Sequence, residues 1–248
     1  MNRRPDPERT PANADFQTTH WSVVLAAGGS SSPGAASALE RLCRGYWYPL
    51  YAYVRRRGHP EQDAQDLTQG FFARLLEGRA FRRVAPGRAK FRSYLLVSLK
   101  NFLADQHDRE QAQKRGGGQS TISFDGQEAE QRYQLEPAHG ETPEKLFERR
   151  WAMTVLDGAL ARLEQEFVAA GKEALFGQLR DFMIEDAGGR TYADAATQLG
   201  MTEEAVKKAA QRLRRRYQQL IREQIGETLA TAGEIEEELR YLWSVLGT

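Results

Sequence analysis

The chain is predicted to be all-α. Three observations carry this. Leu, Ala, Arg, Gln and Glu are abundant while Val and Ile are scarce, which favours helix over sheet. Apolar residues recur three and four positions apart. Gly and Pro fall mostly between these periodic runs, where they end and start helices. The 248 residues are expected to form two helical domains joined by a flexible linker. Residues 1–15 form a disordered N-terminus, 16–115 a first domain, 116–141 the linker, 142–230 a second domain and 231–248 a helical extension.

Residues 1–15 are rich in Pro, Arg and Asp and have no apolar core, so they are read as neither signal peptide nor helix. A short helix is expected from Thr19 to Ala27, stopped by Gly28 and Gly29. Ser32 and Pro33 suit the start of the next, whose stripe is Leu39, Leu42, Cys43, Tyr46, Leu50, Tyr53 and Val54. Pro49 is expected to kink or interrupt it and Gly58 to end it. Pro60 opens a helix with Glu61 and Asp63 at its positive end and Leu67, Phe71 and Leu75 on its buried face. Residues 81–89 read as a basic loop. Phe91, Leu95, Leu99, Phe102 and Leu103 then mark a helix running to about Gln113.

Gly116 to Thr142 is polar and weakly periodic, hence the linker. A long helix follows from Thr142 to Gly171, then a shorter one through Leu175, Leu179, Phe182 and Met183. Beyond it, residues 190–222 have the pattern of a helix-turn-helix. Ala195 and Ala196 permit close crossing, Gly200 suits a positive-φ turn, and Leu199, Met201, Val206 and Ala209 are its further apolar anchors. Thr202 can cap the second helix, with Glu203 and Glu204 at its positive end. That helix carries Lys207, Lys208, Gln211, Arg212, Arg214, Arg215 and Arg216 among Val206, Leu213, Tyr217 and Leu220. One face packs and the other is basic, as a helix in a major groove requires. Its first turns would approach base edges and the later arginines phosphates.

Net charge is only +1, so the total does not mark a nucleic-acid binder; the clustering of basic residues in 207–222 does. The single cysteine, Cys43, precludes an intrachain disulfide and fits a reducing cytoplasm. No apolar run suggests membrane insertion. The four histidines are scattered, none in metal-ligand spacing with Cys43, and the Gly116–Gly118 run lacks the Lys and Ser/Thr of a phosphate-binding loop. No catalytic residue, metal or cofactor is expected, and an enzyme is disfavoured.

The first block narrows the function. Asp63-Ala-Gln-Asp-Leu-Thr-Gln-Gly-Phe-Phe-Ala-Arg-Leu75 resembles the polymerase-binding segment of region 2 in bacterial sigma factors. Phe91-Arg-Ser-Tyr-Leu-Leu, with Asn101-Phe-Leu-Ala-Asp105, resembles the promoter −10 segment that follows it. With a linker and a C-terminal helix-turn-helix similar to region 4, the chain resembles an extracytoplasmic-function (ECF) sigma factor of a long-tailed subgroup. The resemblance implies that Asp63, Asp66, Gln69 and Phe72 dock on the clamp of the largest subunit of core RNA polymerase. It implies that Arg83, Arg88, Lys90, Arg92, Lys100, Asn101 and Asp105 meet the −10 element. Thr202, Glu203, Glu204, Lys207, Lys208, Gln211, Arg212, Arg214 and Arg215 would read the −35 element, with this domain at the flap of the second-largest subunit. The linker, with its acidic stretch Asp125 to Glu130, would thread towards the polymerase active-site path.

Two features depart from the family pattern: Gly70 and Gln65 stand where acids are usual. The tail adds Ile235, Leu239, Leu242, Trp243 and Leu246 at helical spacing, a face expected to pack within the molecule on the C-terminal domain. An anti-sigma factor or other regulator is a further partner the resemblance allows. The competing reading is a dimeric helix-turn-helix regulator that binds operator DNA without core polymerase.

Overall fold

The computed structural model describes residues 33–76, 90–112, 126–136, 140–183, 191–229 and 232–247. The expected N-terminal disorder, the helix from Thr19, the basic loop 81–89 with Arg83 and Arg88, and linker residues 116–125 lie outside them. The described residues are all-α: α1 (Pro33–Arg56), α2 (Glu61–Leu76), α3 (Phe91–Ala112), α4 (Gly126–Gln134), α5 (Pro143–Ala169), α6 (Glu173–Leu179), α7 (Tyr192–Leu199), α8 (Glu203–Gly226) and α9 (Ile235–Leu246). Short 3-10 turns at Arg180–Met183 and Ala232–Glu234 follow α6 and precede α9.

α1 organises the body. Residues 46–54, Tyr-Trp-Tyr-Pro-Leu-Tyr-Ala-Tyr-Val, are buried throughout, so this helix is covered on every side. α2 and α3 pack on it from the N-terminal block, and α5 runs along it from the C-terminal block. Interruption, one of the two outcomes expected at Pro49, does not occur: α1 is continuous from Pro33 to Arg56. Gly70 faces the Phe102 ring of α3, where an added Cβ would make an ordinary van der Waals contact at 3.4 Å; the glycine costs roughly 1 kcal/mol of helix propensity relative to Ala.

The two blocks are therefore packed on one another, and their buried residues form one continuous apolar cluster. The stretch expected to be a flexible linker contributes α4, which sits against α1. Its acids are the reason. Glu130 accepts hydrogen bonds from Tyr51 Oη and, at 2.9 Å, from Arg55 Nε and Nη2. Glu136 accepts from Tyr48 Oη at 2.6 Å and from Arg149 and Arg150 of α5. Glu130 and Glu136 are both buried, and buried carboxylates require such partners. Part of the acidic stretch assigned to the polymerase channel is thus structural here.

α5 starts at Thr142, whose Oγ1 accepts the Lys145 N–H at 3.2 Å, with Pro143 in the first turn. It packs on α8, and α9 lies across both. Leu239 and Leu242 of α9 are buried, as expected from their spacing, while Trp243 is half exposed.

Candidate nucleic-acid interface

α7 and α8 form the helix-turn-helix. α7 opens with a capping box: Thr191 Oγ1 accepts the Asp194 N–H at 3.2 Å and Asp194 accepts the Thr191 N–H at 3.0 Å. Gly200 ends α7 at φ 62°, a left-handed conformation that glycine adopts without Cβ strain. Thr202 caps α8 through an Oγ1 that accepts the Ala205 N–H at 3.2 Å. Ala195, Ala196, Val206, Ala209, Ala210 and Leu213 are buried, so small residues occupy the helix crossing. Met201 is a weaker apolar anchor than expected: its N–H donates to Ala196 O at 3.0 Å, and the residue is 36% exposed.

The outer face of α8 presents Thr202, Glu203, Glu204, Lys207, Lys208, Gln211, Arg212 and Arg215, all exposed. Lys207 pairs with Glu203 at 2.6 Å and Lys208 with Glu204 at 2.7 Å, one turn apart. Glu203 raises the Lys207 ammonium above its ordinary range. Arg214 departs from its assignment. It turns inward, with Nε donating to Phe182 O and Nη2 to Tyr192 Oη, each at 2.8 Å. It ties α8 to the turn after α6 and to α7, and takes no part in the exposed face.

On α2, Glu61, Gln62, Asp63 and Asp66 are exposed and Gln69 partly so, forming one acid-amide face. Phe72 does not belong to it. Only 1% exposed, it packs against Trp47 and Phe71 at ring distances of 5.5 and 5.6 Å. The helical period places it one turn from Gln69 but on the inner side, so it supports the docking face from the core.

The −10 set is divided. Asn101 and Asp105 are exposed on α3, Asp105 pairing with Arg74 of α2 at 3.1 Å. Lys100 pairs with Glu144 of α5 at 2.8 Å; this holds the lysine above and the carboxylate below its ordinary range. Lys90 lies 2.9 Å from Glu237 and 2.8 Å from Glu238, both of α9. Burial works against the Lys90 charge, but the two carboxylates outweigh it and raise its pKa. Arg92 is the clearest departure. Expected at the DNA surface, it is 8% exposed. Its Nη2 donates to Glu238 Oε2 at 3.3 Å and its Nη1 lies 3.7 Å from Glu148. Its guanidinium stands 4.0 Å from the Tyr241 ring centroid and 5.0 Å from that of Trp151.

A cleft of about 350 Å³ beside Lys100 is lined by Arg57, His59, Leu103, Ala104, His107 and Asp108. The sequence reading did not single out Arg57 or His59. Nor did it anticipate Glu144, Glu148, Glu237 and Glu238 as partners of the −10 cations; the acidic run beginning at Glu234 was the available signal.

A capped helix-turn-helix with an exposed basic second helix, carried on an all-α body, defines a DNA-binding protein. Residues 30–223 match the family model described as ECF sigma factor, and the chain belongs to that family. It is thus a sigma factor with a role in transcription initiation by RNA polymerase. No curated protein and no solved structure matches the chain. Among the described residues no helix is long and apolar enough to cross a membrane.

Proposed function

We propose that this sigma factor binds core RNA polymerase through the exposed face of α2 and directs it to promoters with −10 and −35 elements, in the cytoplasm. Asp63, Asp66 and Gln69 supply the docking face for the clamp of the largest subunit, with Phe72 as its buried support. The α7–α8 unit reads the −35 duplex. Lys207, Lys208 and Gln211 approach base edges from the first turns of α8, while Arg212 and Arg215 meet phosphate, each good bidentate base contact contributing roughly 1–3 kcal/mol of discrimination. Lys90, Lys100, Asn101 and Asp105, with Arg83 and Arg88 of the preceding segment, receive the −10 strand; Arg92, buried against Glu238 and Tyr241, joins them only when α9 moves off it. Basic grooves hold single strands in this way, and the cleft between Arg57 and Lys100 gives a phosphate room beside them.

The observation that carries this reading is the exposed basic stripe on α8, in the same chain as an exposed acid-amide face on α2, with the family match spanning both. The test is reconstitution with purified bacterial core polymerase on genomic promoter fragments. Specific initiation is expected, lost in Asp66→Arg through core binding and in Lys207→Ala/Lys208→Ala through promoter binding. Tight binding of a palindrome by a dimer that ignores core polymerase would overturn the proposal and establish the operator-binding regulator instead.

A further inference from the structure

We propose that α9 is a built-in clasp that occupies the −10-binding cations Lys90 and Arg92 at the start of α3 and keeps the protein closed until polymerase and promoter displace it. The inference rests on the assignment of Lys90, Arg92 and Lys100 to promoter binding made above.

The pairing pattern carries it. All three cations lie on or just before α3, and each faces a carboxylate of the C-terminal block: Lys90 with Glu237 and Glu238, Arg92 with Glu238 and Glu148, Lys100 with Glu144. The contacts at the start of α3 are made by a docked helix. Leu239 and Leu242 fix α9 on α5 and α8, and the Glu238 side chain is 1% exposed. Tyr241 covers the Arg92 guanidinium. The chain entering α9 also crosses the start of α3, where the Phe91 N–H donates to Thr228 O at 3.4 Å. DNA phosphates and these carboxylates are both anions seeking the same cations, so the two modes of pairing exclude each other.

Dimensions point the same way. The −10 and −35 elements are named by position, which sets them about 25 base pairs apart, or on the order of 85 Å at 3.4 Å per step. A compact chain of this length has a radius of gyration of roughly 18 Å and a diameter of roughly 45 Å. The closed body cannot reach both elements, so α1 and α5 must part for α3 and α8 to do so. The ion pairs of α9 and α5 bridge that same division, and promoter binding must therefore break them.

The experiment uses the full chain. Binding of a fluorescent single-stranded DNA 20-mer of mixed sequence is measured by anisotropy for the wild type, Glu237→Gln/Glu238→Gln and the same variant carrying Lys90→Ala, with helicity checked by circular dichroism. About tenfold tighter binding is expected in the double glutamine variant, cancelled by Lys90→Ala. Equal affinity in a folded variant, or a gain that survives Lys90→Ala, overturns the clasp. Should the double variant fail to fold, Glu237→Gln decides alone, since its side chain is mostly exposed. About threefold tighter binding is then expected, and no gain overturns the clasp. Core binding by the wild type is measured in parallel. A chain that binds core but shows no gain defeats the clasp only, while one that never binds core defeats the functional assignment.

Discussion

Arg92 of α3 and Glu238 of α9, separated by 146 positions in the chain, form a buried ion pair with two contacts, Nε to Oε1 at 2.5 Å and Nη2 to Oε2 at 3.3 Å. Removing one member of a buried pair strands the other charge, typically at 3–5 kcal/mol. Glu238→Ala is expected to lower the free energy of urea unfolding by about 3 kcal/mol. Glu238→Gln keeps a hydrogen-bond acceptor for Arg92 and is expected to cost about 1 kcal/mol. Equal losses for Ala and Gln would show that packing, not charge, dominates at this position.

Arg214 and Arg215 are adjacent yet should fail in different assays. Arg214 is bonded to Phe182 O and Tyr192 Oη, so Arg214→Ala is expected to lower stability by about 2 kcal/mol. Arg215 is exposed; Arg215→Ala is expected to leave the melting temperature unchanged. It should instead reduce the slope of log binding constant against log salt on −35 duplex by about 1. Thermal melts and a salt titration separate the two.

The turn of the helix-turn-helix gives a backbone prediction. At φ 62°, Gly200→Ala is expected to cost about 1 kcal/mol. Thr202→Ala removes the acceptor of the Ala205 N–H and is expected to cost about 1 kcal/mol. Both should weaken −35 binding by loosening the first turn of α8, and differential scanning calorimetry with duplex binding checks them.

The bridges between blocks also predict a response to acid. Lys100 holds Glu144, and Lys90 holds Glu237, below the ordinary carboxylate value of 4.5. A carboxyl lowered in the folded state contributes stability that is fully present above 4.5 and lost as pH falls through its folded value. Energy transfer between dyes on α3 and α9 is therefore expected to be flat from pH 7 to 5 and to drop in more acidic solution. Glu144→Gln should reduce the dependence, and an unchanged profile in that variant would count against the Lys100–Glu144 bridge.

Much of the −35 end was legible because its geometry is local. Thr191 with Asp194, Gly200, and Thr202 with Ala205 each act within one helical turn, so residue identity at short spacing suffices to place them. The α2 face was legible for the same reason, except at Phe72. Periodicity marks an apolar side chain without saying whether a neighbour covers it, and Trp47 of α1 does so here.

The sequence by itself determined every described helix except α4, with the caps of the helix-turn-helix, the basic stripe of α8 and the apolar stripe of α9, because these depend on neighbours within a turn. Only the tertiary structure decided which faces meet. It laid α5 along α1, drew Glu130 and Glu136 into buried pairs that make part of the linker a packed helix, and placed Glu238 on Arg92. Those pairings join residues 13 to 146 positions apart. No local rule selects the partner of a buried charge; the packing of the helices that carry both charges does.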